Sequence, residues 1–172
     1  MSKQILIEIL QSREDRRDKQ IELINKYNKS LISFTLNIPG KIKDNKIYRN
    51  IHIEGMKFII KKLKDKGLDP LYEEEIHKAT GPEGYIVVDI EAFNLKKMVV
   101  EIEESHLLGR IFDIDVFDLK HNQISRKDLG VNPRPCLLCD NDARQCMRLR
   151  NHTLEELIKE INGTWEKYKR MY

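Results

Sequence analysis

The 172-residue sequence lacks a long apolar run and an excess of charge of one sign, and each absence excludes a class of protein. No stretch approaches the roughly 20 apolar residues of a membrane-spanning helix, and residues 1–10 contain Glu8 and no signal-peptide cleavage pattern. Lys and Arg (31) nearly match Asp and Glu (28), which leaves a net charge of only +3. We therefore expect neither a membrane nor a nucleic acid as a partner.

Cysteine is scarce, and the three cysteines all lie between residues 136 and 146. An odd number in so short a segment argues against a disulfide framework and for a reducing compartment, so we expect the cytoplasm. Internal repeats and low-complexity linkers are also lacking. With 40% apolar and 34% charged residues, the composition predicts one globular domain over 1–172.

Periodicity and turn residues predict both helices and strands along the chain. The predicted helices are one opened by Ser12 as N-cap, one over 45–66, and a last one opened by the capping box of Thr153 and Glu156. The predicted strands are 31–38, 71–79, 85–90, 96–103 and 111–118, with a turn at 81–84. This order predicts an α+β fold: a mainly antiparallel sheet, flanking helices, and a Cys/His loop before the C-terminal helix.

The segment SHLLGRIFDID, residues 105–115, places two aspartates in an apolar stretch. In a strand, Asp113 and Asp115 share one face, because successive side chains point in opposite directions. If 96–103 and 111–118 form a hairpin, Glu101 and Glu103 add up to two more carboxylates to that face. Carboxylates this close repel each other, so the pattern predicts a site for Mg²⁺ or Mn²⁺. The alternative is a solvent-facing acidic strand that binds nothing.

A divalent ion that clamps a polyphosphate is the central device of phosphoryl and nucleotidyl transfer. His106 and Arg110, in the turn before the aspartates, are placed to meet phosphate oxygens. Polymerase-β-like nucleotidyltransferases set a Gly-Ser turn and a helix before their acidic pair. Gly109 precedes Asp113 by too few residues for such a helix, so that fold is not expected.

The cysteines form the pattern C-x2-C-x6-C-x5-H, within a Cys/His-rich region over 133–152. Four N/S ligands at this spacing are typical of a structural zinc site, here Cys136, Cys139, Cys146 and His152. Two alternatives are reduced cysteines packed as small apolar groups and a Cys-His nucleophile pair. Arginines flank the cluster, and Arg134 among them can serve an anionic ligand or simply the surface.

Several segments together resemble the apo-citrate lyase phosphoribosyl-dephospho-CoA transferases, also called holo-citrate lyase synthases. The resemblance covers about Ser12 to Ile161, and its most specific part is the block from His106 to His152. It rests on SREDRRDKQ, SFTLNIPGKIKDNKIYRN, ATGPEGY, ESHLLGRIFDIDVF and ISRKDLGVNPRPCLLCDNDARQCMRLRNH. Two positions depart from the family: Arg134-Pro135 replaces the usual Arg-Arg before the first cysteine, and Leu107-Leu108 stands where Pro-Leu is common.

The resemblance implies a transferase that takes triphosphoribosyl-dephospho-CoA and joins it to a serine on the acyl-carrier subunit of citrate lyase, releasing diphosphate. This is a nucleotidyl-type transfer, which agrees with a magnesium site at the aspartates. Two alternatives stay open: the same transfer onto a different carrier protein, and a non-catalytic zinc-containing module that binds a protein.

The resemblance also implies roles for individual residues. Asp113 and Asp115 hold Mg²⁺, and Glu103, or alternatively Glu101, completes the shell or accepts the serine proton. Arg110 neutralises phosphate, and His106 is a candidate base on the serine hydroxyl, although a structural role is the simpler interpretation of a histidine at a turn. The candidate substrate-binding residues are Lys43, Arg49, Arg126 and Arg134, with Arg13 and Arg16 as weaker ones.

Overall fold

The computed structural model describes residues 3–172, with side chains from residue 7 onward, so residues 1 and 2 of the segment searched for a signal peptide lie outside it. Its α-helices are α1 (Lys3–Tyr27), α2 (Lys46–Lys64), α3 (Ala92–Ser105), α4 (Ala143–Leu149) and α5 (Leu154–Met171). Its strands are β1 (Ser30–Leu36), β2 (Tyr72–Lys78), β3 (Gly81–Val88), β4 (Phe112–Phe117) and β5 (Gln123–Ile124). A 3₁₀ turn over Gly109–Ile111 leads into β4. No helix in the described part is long and apolar enough to cross a membrane.

The strands form one sheet in the order β2-β3-β1-β4-β5, and every neighbouring pair is antiparallel. β1 lies in the middle and places Thr35 opposite Asp113. The Cys/His segment precedes α5, whose capping box at Thr153 and Glu156 is formed. The predicted α+β architecture with a mainly antiparallel sheet is therefore confirmed.

The two faces of the sheet carry different cores. Alternate residues of β1 such as Ile32 and Phe34 pack into the main core, which α2, α3 and α5 cover. The opposite face carries a smaller apolar core against the C-terminal half of α1, made of Leu23, Ile24, Leu31, Tyr85 and Val87. Asp113 and Asp115 alternate with the buried Phe112 and Ile114, and so lie on the α1 side of the sheet.

The prediction of a strand over 96–103 is wrong, because these residues belong to α3. The side chains of Leu95, Met98, Val99 and Ile102 are all buried, and their spacing of three and four residues fits one helix face. The Glu91 side chain caps the helix by accepting from the backbone N–H of Asn94. The predicted hairpin, with four carboxylates on one strand face, therefore does not exist.

Two smaller predictions are also wrong. Ser12 is not an N-cap, since α1 runs through it and its hydroxyl lies 2.8 Å from Thr80 Oγ1. Residues 81–84 are not a turn, since β3 begins at Gly81. A Cβ at Gly84 would lie 2.5 Å from Met56 Sδ, so glycine there allows α2 to approach the strand closely.

Candidate functional site

Asp113 and Asp115 point from β4 toward the α1 side of the sheet, as their alternation predicts. The Asp113 side chain is 41% exposed, and the Thr35 hydroxyl lies 3.5 Å from its Oδ2. The Asp115 carboxylate accepts a hydrogen bond of 2.6 Å from Gln123 Nε2. Burial and the neighbouring negative charge of Asp113 raise the pKa of Asp115 to about 6. Burial and the neighbouring carboxylate therefore favour the protonated form of Asp115.

Arg134 is the positively charged side chain that lies beside Asp113. Its Nη2 lies 3.0 Å from Asp113 Oδ1 and 2.9 Å from Glu103 Oε1. Arg126 donates to the other oxygen, Glu103 Oε2, at 2.7 Å. Glu103 thus reaches the acidic strand from α3, but both of its oxygens are engaged by arginines. Glu103 therefore anchors Arg126 and Arg134 beside the acidic strand.

β5 pairs only with Val116 and Phe117 of β4, so the backbone groups of β4 before Val116 have no strand partner on that edge within the described chain. Side chains of α3 form hydrogen bonds with them instead. Lys96 Nζ donates to the Ile114 carbonyl oxygen at 2.9 Å, and Glu103 Oε1 accepts from the Ile114 N–H at 3.4 Å. Burial lowers the pKa of Lys96. These contacts fix the backbone between the two aspartates. Sequence reasoning missed Lys96 because the segment was interpreted as a strand.

Gly109 allows this approach of α3 to β4. A Cβ at Gly109 would lie only 2.1 Å from the backbone oxygen of Glu103, so no larger residue fits there without a backbone shift. The glycine before Arg110 in the sequence pattern is thus explained by packing.

A cleft of about 240 Å³ opens beside Asp113, between the N-terminal half of α1, the end of β1 and the β2–β3 turn. Three of the basic sequence candidates line it, namely Arg13, Arg16 and Lys43. Lys43 Nζ donates to the Ile38 carbonyl oxygen. Burial, and then the nearby Arg13, lower the pKa of Lys43. The cleft therefore combines a carboxylate at one edge with three basic side chains, an arrangement suited to a polyphosphate and its cation.

Glu83 holds Arg16 in this cleft, and the sequence does not reveal this role because residues 81–84 read as a turn. Its buried carboxylate accepts from Arg16 Nε at 3.1 Å and Nη2 at 3.0 Å, from Lys78 Nζ at 3.0 Å and from the Tyr85 hydroxyl at 2.9 Å. Burial opposes ionisation of Glu83, but Arg16 and the hydrogen bonds from Lys78 and Tyr85 outweigh it and lower its pKa.

Two other candidates do not reach the cleft. Arg49 on α2 forms a salt bridge with Asp44, which it joins through both Nε and Nη2. Glu101 lies on the exposed side of α3, with its Oε2 3.8 Å from Lys66 Nζ.

His106 and Arg110 precede β4 but point away from the aspartates. The His106 ring stacks against Phe112, with centroids 5.1 Å apart, and its Nδ1 accepts from the Leu108 N–H at 3.1 Å. Burial lowers the pKa of His106. Because Phe112 faces the main core, His106 lies on the opposite side of the sheet from Asp113. Arg110 instead contacts the cysteine segment.

The ligand atoms of Cys136, Cys139, Cys146 and His152 all lie within 4.8 Å of one another. Cys139 Sγ is 3.5 Å from Cys146 Sγ and 3.3 Å from His152 Nε2. Tetrahedral zinc, with Zn–S near 2.3 Å and Zn–N near 2.0 Å, separates its ligand atoms by roughly 3.5–3.8 Å. Although burial opposes it, backbone N–H groups of Leu138 and Cys139 lower the pKa of Cys136. The four side chains therefore fit a metal site.

Arg110 connects this metal-site segment to the start of β4. Its Nη1 donates to the carbonyl oxygens of Cys136 at 3.1 Å and Cys139 at 3.3 Å, and its Nη2 lies 2.7 Å from Asp140 Oδ1. Arg134 stands two residues before Cys136, and its carbonyl oxygen accepts from the Ala143 N–H at 3.0 Å. The Cys/His segment thus supports the arginine that contacts Asp113.

The chain is similar to known proteins of one family. A family model described as apo-citrate lyase phosphoribosyl-dephospho-CoA transferase matches residues 4–168. A protein of that name from Citrobacter koseri is 34% identical over 151 residues, which cover 88% of this chain and 82% of the relative. Another from Escherichia coli O1:K1 is 34% identical over 156 residues, covering 91% of this chain and 85% of the relative.

Proposed function

Because the chain belongs to the apo-citrate lyase phosphoribosyl-dephospho-CoA transferase family, we propose that it acts as a nucleotidyl-type transferase on the carrier subunit of citrate lyase. In this reaction the phosphoribosyl-dephospho-CoA group moves from triphosphoribosyl-dephospho-CoA to a carrier serine. The serine oxygen bonds to the phosphorus nearest the ribosyl group, and the bond from that phosphorus to the leaving diphosphate breaks. The serine proton is released, and the bonding electron pair departs with diphosphate.

The cleft beside Asp113 is the observation that carries this proposal. Arg13, Arg16 and Lys43 line it, and a triphosphate needs such cations to offset its charge. Arg16 is already fixed by the buried Glu83, so it can neutralise charge that develops on the diphosphate with little rearrangement.

Asp113 and Asp115 fit a divalent cation. They are hard oxygen donors on one strand face, and a bound divalent ion would offset the like charge of Asp113 that, after burial, helps to raise the pKa of Asp115. We assign them as the residues that would hold Mg²⁺, which when bound supplies charge neutralisation at the phosphate oxygens. Arg134 forms a salt bridge with Asp113 and so helps to hold the Asp113 carboxylate at the edge of the cleft.

We assign zinc to the Cys136, Cys139, Cys146 and His152 cluster, with a structural role. The close approach of four N/S atoms favours this over a Cys-His nucleophile pair, which would leave the other two cysteines unexplained. Three cysteines without a disulfide fit a reducing compartment, so we propose the cytoplasm as the place of action.

The test is transfer onto the carrier, followed by intact-mass measurement. Protein, Mg²⁺, triphosphoribosyl-dephospho-CoA and apo carrier subunit should yield a carrier heavier by one phosphoribosyl-dephospho-CoA group. Asp113→Asn should reduce the rate by at least about 100-fold, because a metal ligand is lost. Asp69→Asn removes an exposed carboxylate outside the cleft and should leave the rate unchanged. Full activity in Asp113→Asn with intact folding would refute the site, and modification of another carrier alone would change the assigned partner.

A further inference from the structure

The short helix α4 and the residue after it expose a group of basic and apolar side chains. Arg144, Arg148 and Arg150 are exposed. Met147 and Leu149 are exposed as well, to 73% and 63% of their surface. Residues 143–154 contain no aspartate or glutamate. We call these five side chains the α4 surface.

The stability of the fold does not explain the α4 surface. In the described part of the chain none of its arginines forms a salt bridge, whereas Arg110 and Arg134 of neighbouring segments do. Arg144 and Arg148 are four residues apart on one helix, so their like charges repel. Only Cys146 of α4 is buried. The remaining helix surface is therefore free to contact another molecule.

The start of α4 is tied to the edge of the cleft. The Ala143 N–H donates to the Arg134 carbonyl oxygen at 3.0 Å. The side chain of the same arginine reaches the cleft, where its Nη2 lies 3.0 Å from Asp113 Oδ1. Since α4 has seven residues, it extends only about 10 Å from this point.

The residues after α4 also adjoin the cleft. A Cβ on Gly40 would lie 3.0 Å from Leu154 Cδ1, so the start of α5 packs against the loop that contains Gly40. Ile38 and Lys43, on either side of that glycine, line the cleft. The segment that carries the α4 surface is thus held beside the cleft at both ends. A large molecule bound to this surface would lie within reach of Asp113.

The side chains of the α4 surface are those of a protein-binding site. Methionine and arginine are enriched at protein–protein interfaces, whereas lysine and acidic residues are depleted there. An arginine guanidinium pairs best with a carboxylate, because its planar fork matches the two oxygens. The complementary partner therefore carries carboxylates around exposed apolar side chains. The proposed reaction has one protein substrate, and the serine of that protein has to enter the cleft.

We propose that the α4 surface docks the carrier subunit through an acidic and apolar face near the acceptor serine, which rests on the proposed function. Charge attraction of this kind speeds the encounter and weakens as salt is added. The arginines of the α4 surface lie outside the set that contacts Asp113. Their loss should therefore change the use of the carrier and leave the donor and the chemical step unaffected.

Arg148→Glu tests the docking site. It should raise KM for the carrier by at least about tenfold, because an arginine at an interface is replaced by a like charge of the partner. KM for the donor, and kcat at saturating carrier, should stay within about twofold of the wild type. The new glutamate lies one turn from Arg144, so the pair does not weaken the helix.

Arg170→Glu is the matched control and should leave both KM values unchanged. Arg170 is also exposed, and it forms no salt bridge within the described residues. It lies 16 residues beyond Leu154, about 24 Å along α5. Zinc content by atomic absorption, and the melting temperature, should be the same in both variants and the wild type. That result would show an intact Cys/His segment.

Calorimetry with the apo carrier alone measures docking without transfer. The wild type should bind the carrier, and more weakly as salt rises from about 50 to about 300 mM. Arg148→Glu should bind at least about tenfold more weakly than the wild type at the lower salt concentration.

Several results would overturn the docking site. They are an unchanged KM for the carrier in Arg148→Glu, an equal rise in Arg170→Glu, and a rise only in KM for the donor. A wild-type dimer that Arg148→Glu dissociates in sedimentation would make the α4 surface an interface between two copies of this chain. If the wild type attaches nothing to the carrier, the proposed function fails, but calorimetry still decides. Carrier binding that weakens in Arg148→Glu then supports docking, and no carrier binding by the wild type ends it.

Discussion

Asp115 is acted on by groups that oppose each other. Burial and the adjacent Asp113 favour its protonated form, whereas Lys96 and Arg134 favour the carboxylate, and the balance raises its pKa to about 6. Without a cation, the ionised form therefore costs the folded state free energy as the pH rises through about 6. A divalent ion bound there as proposed would remove the repulsion between the two carboxylates.

The affinity for Mg²⁺ should therefore depend on pH in a defined window. Binding needs the ionised carboxylate. The dissociation constant should therefore be about tenfold higher at pH 5 than at pH 8, with most of the change below pH 6. Calorimetric titration of the protein with Mg²⁺ at several pH values measures this. Asp115→Asn should bind more weakly and lose the dependence in that window. A constant affinity from pH 5 to pH 8 in the wild type would contradict the assignment.

At the scale of elements, the alternation in β4 was predictable, but its supporting partners were not. Asp113 and Asp115 alternate with the buried residues Phe112 and Ile114. Only a strand places residues with this period of two on one face. In α3, the run Met98, Val99 and Val100 is compatible with both periods, and the helix became clear only from the burial of Leu95 and Ile102. Because of that one error, the sequence analysis missed the contact of Lys96 with β4 and the salt bridges of Glu103 with Arg126 and Arg134.

The Cys/His segment was predictable as a metal site because its four ligands lie close together in sequence. Its connection to the aspartates was not, since Arg134 meets Glu103 and Asp113 across 31 and 21 residues of chain. Contacts that depend on packing between distant elements leave no local pattern to find. The flanking arginines gave only a general signal of positive charge.

The metal-site segment should control activity through Arg134. His152→Gln should lose most of the bound zinc, and transfer should fall by about 10- to 100-fold as Arg134 loses its fixed position beside Asp113. Atomic absorption and the transfer assay measure the two effects, and far-UV circular dichroism should change little. His121→Gln, which removes a histidine bonded to Asn25 instead of the cysteines, is the matched control. Loss of zinc with full transfer would limit the metal to a local role.

At the scale of the whole molecule, the cleft joins parts of the chain that are far apart in sequence. Arg13 and Arg16 come from α1, Lys43 from the segment after β1, and Asp113 from β4. A polyphosphate and its cation bound there would contact all three of these segments, which the unfolded chain does not bring together. Mg²⁺ with inorganic triphosphate should therefore stabilise the folded protein by about 2.7 kcal/mol at 100 times its dissociation constant.

For a chain of this length, that stabilisation corresponds to a rise in melting temperature of about 5–10 °C. Differential scanning calorimetry with and without Mg²⁺-triphosphate measures it. Asp69→Asn should show the full rise, because its carboxylate is exposed and lies outside the cleft. Asp113→Asn should show less than half of it, because the cation then has one carboxylate fewer to join the triphosphate to β4. An equal rise in both variants would mean that the basic side chains bind triphosphate without the acidic strand. The assignment of Asp113 as a ligand of the cation would then be wrong.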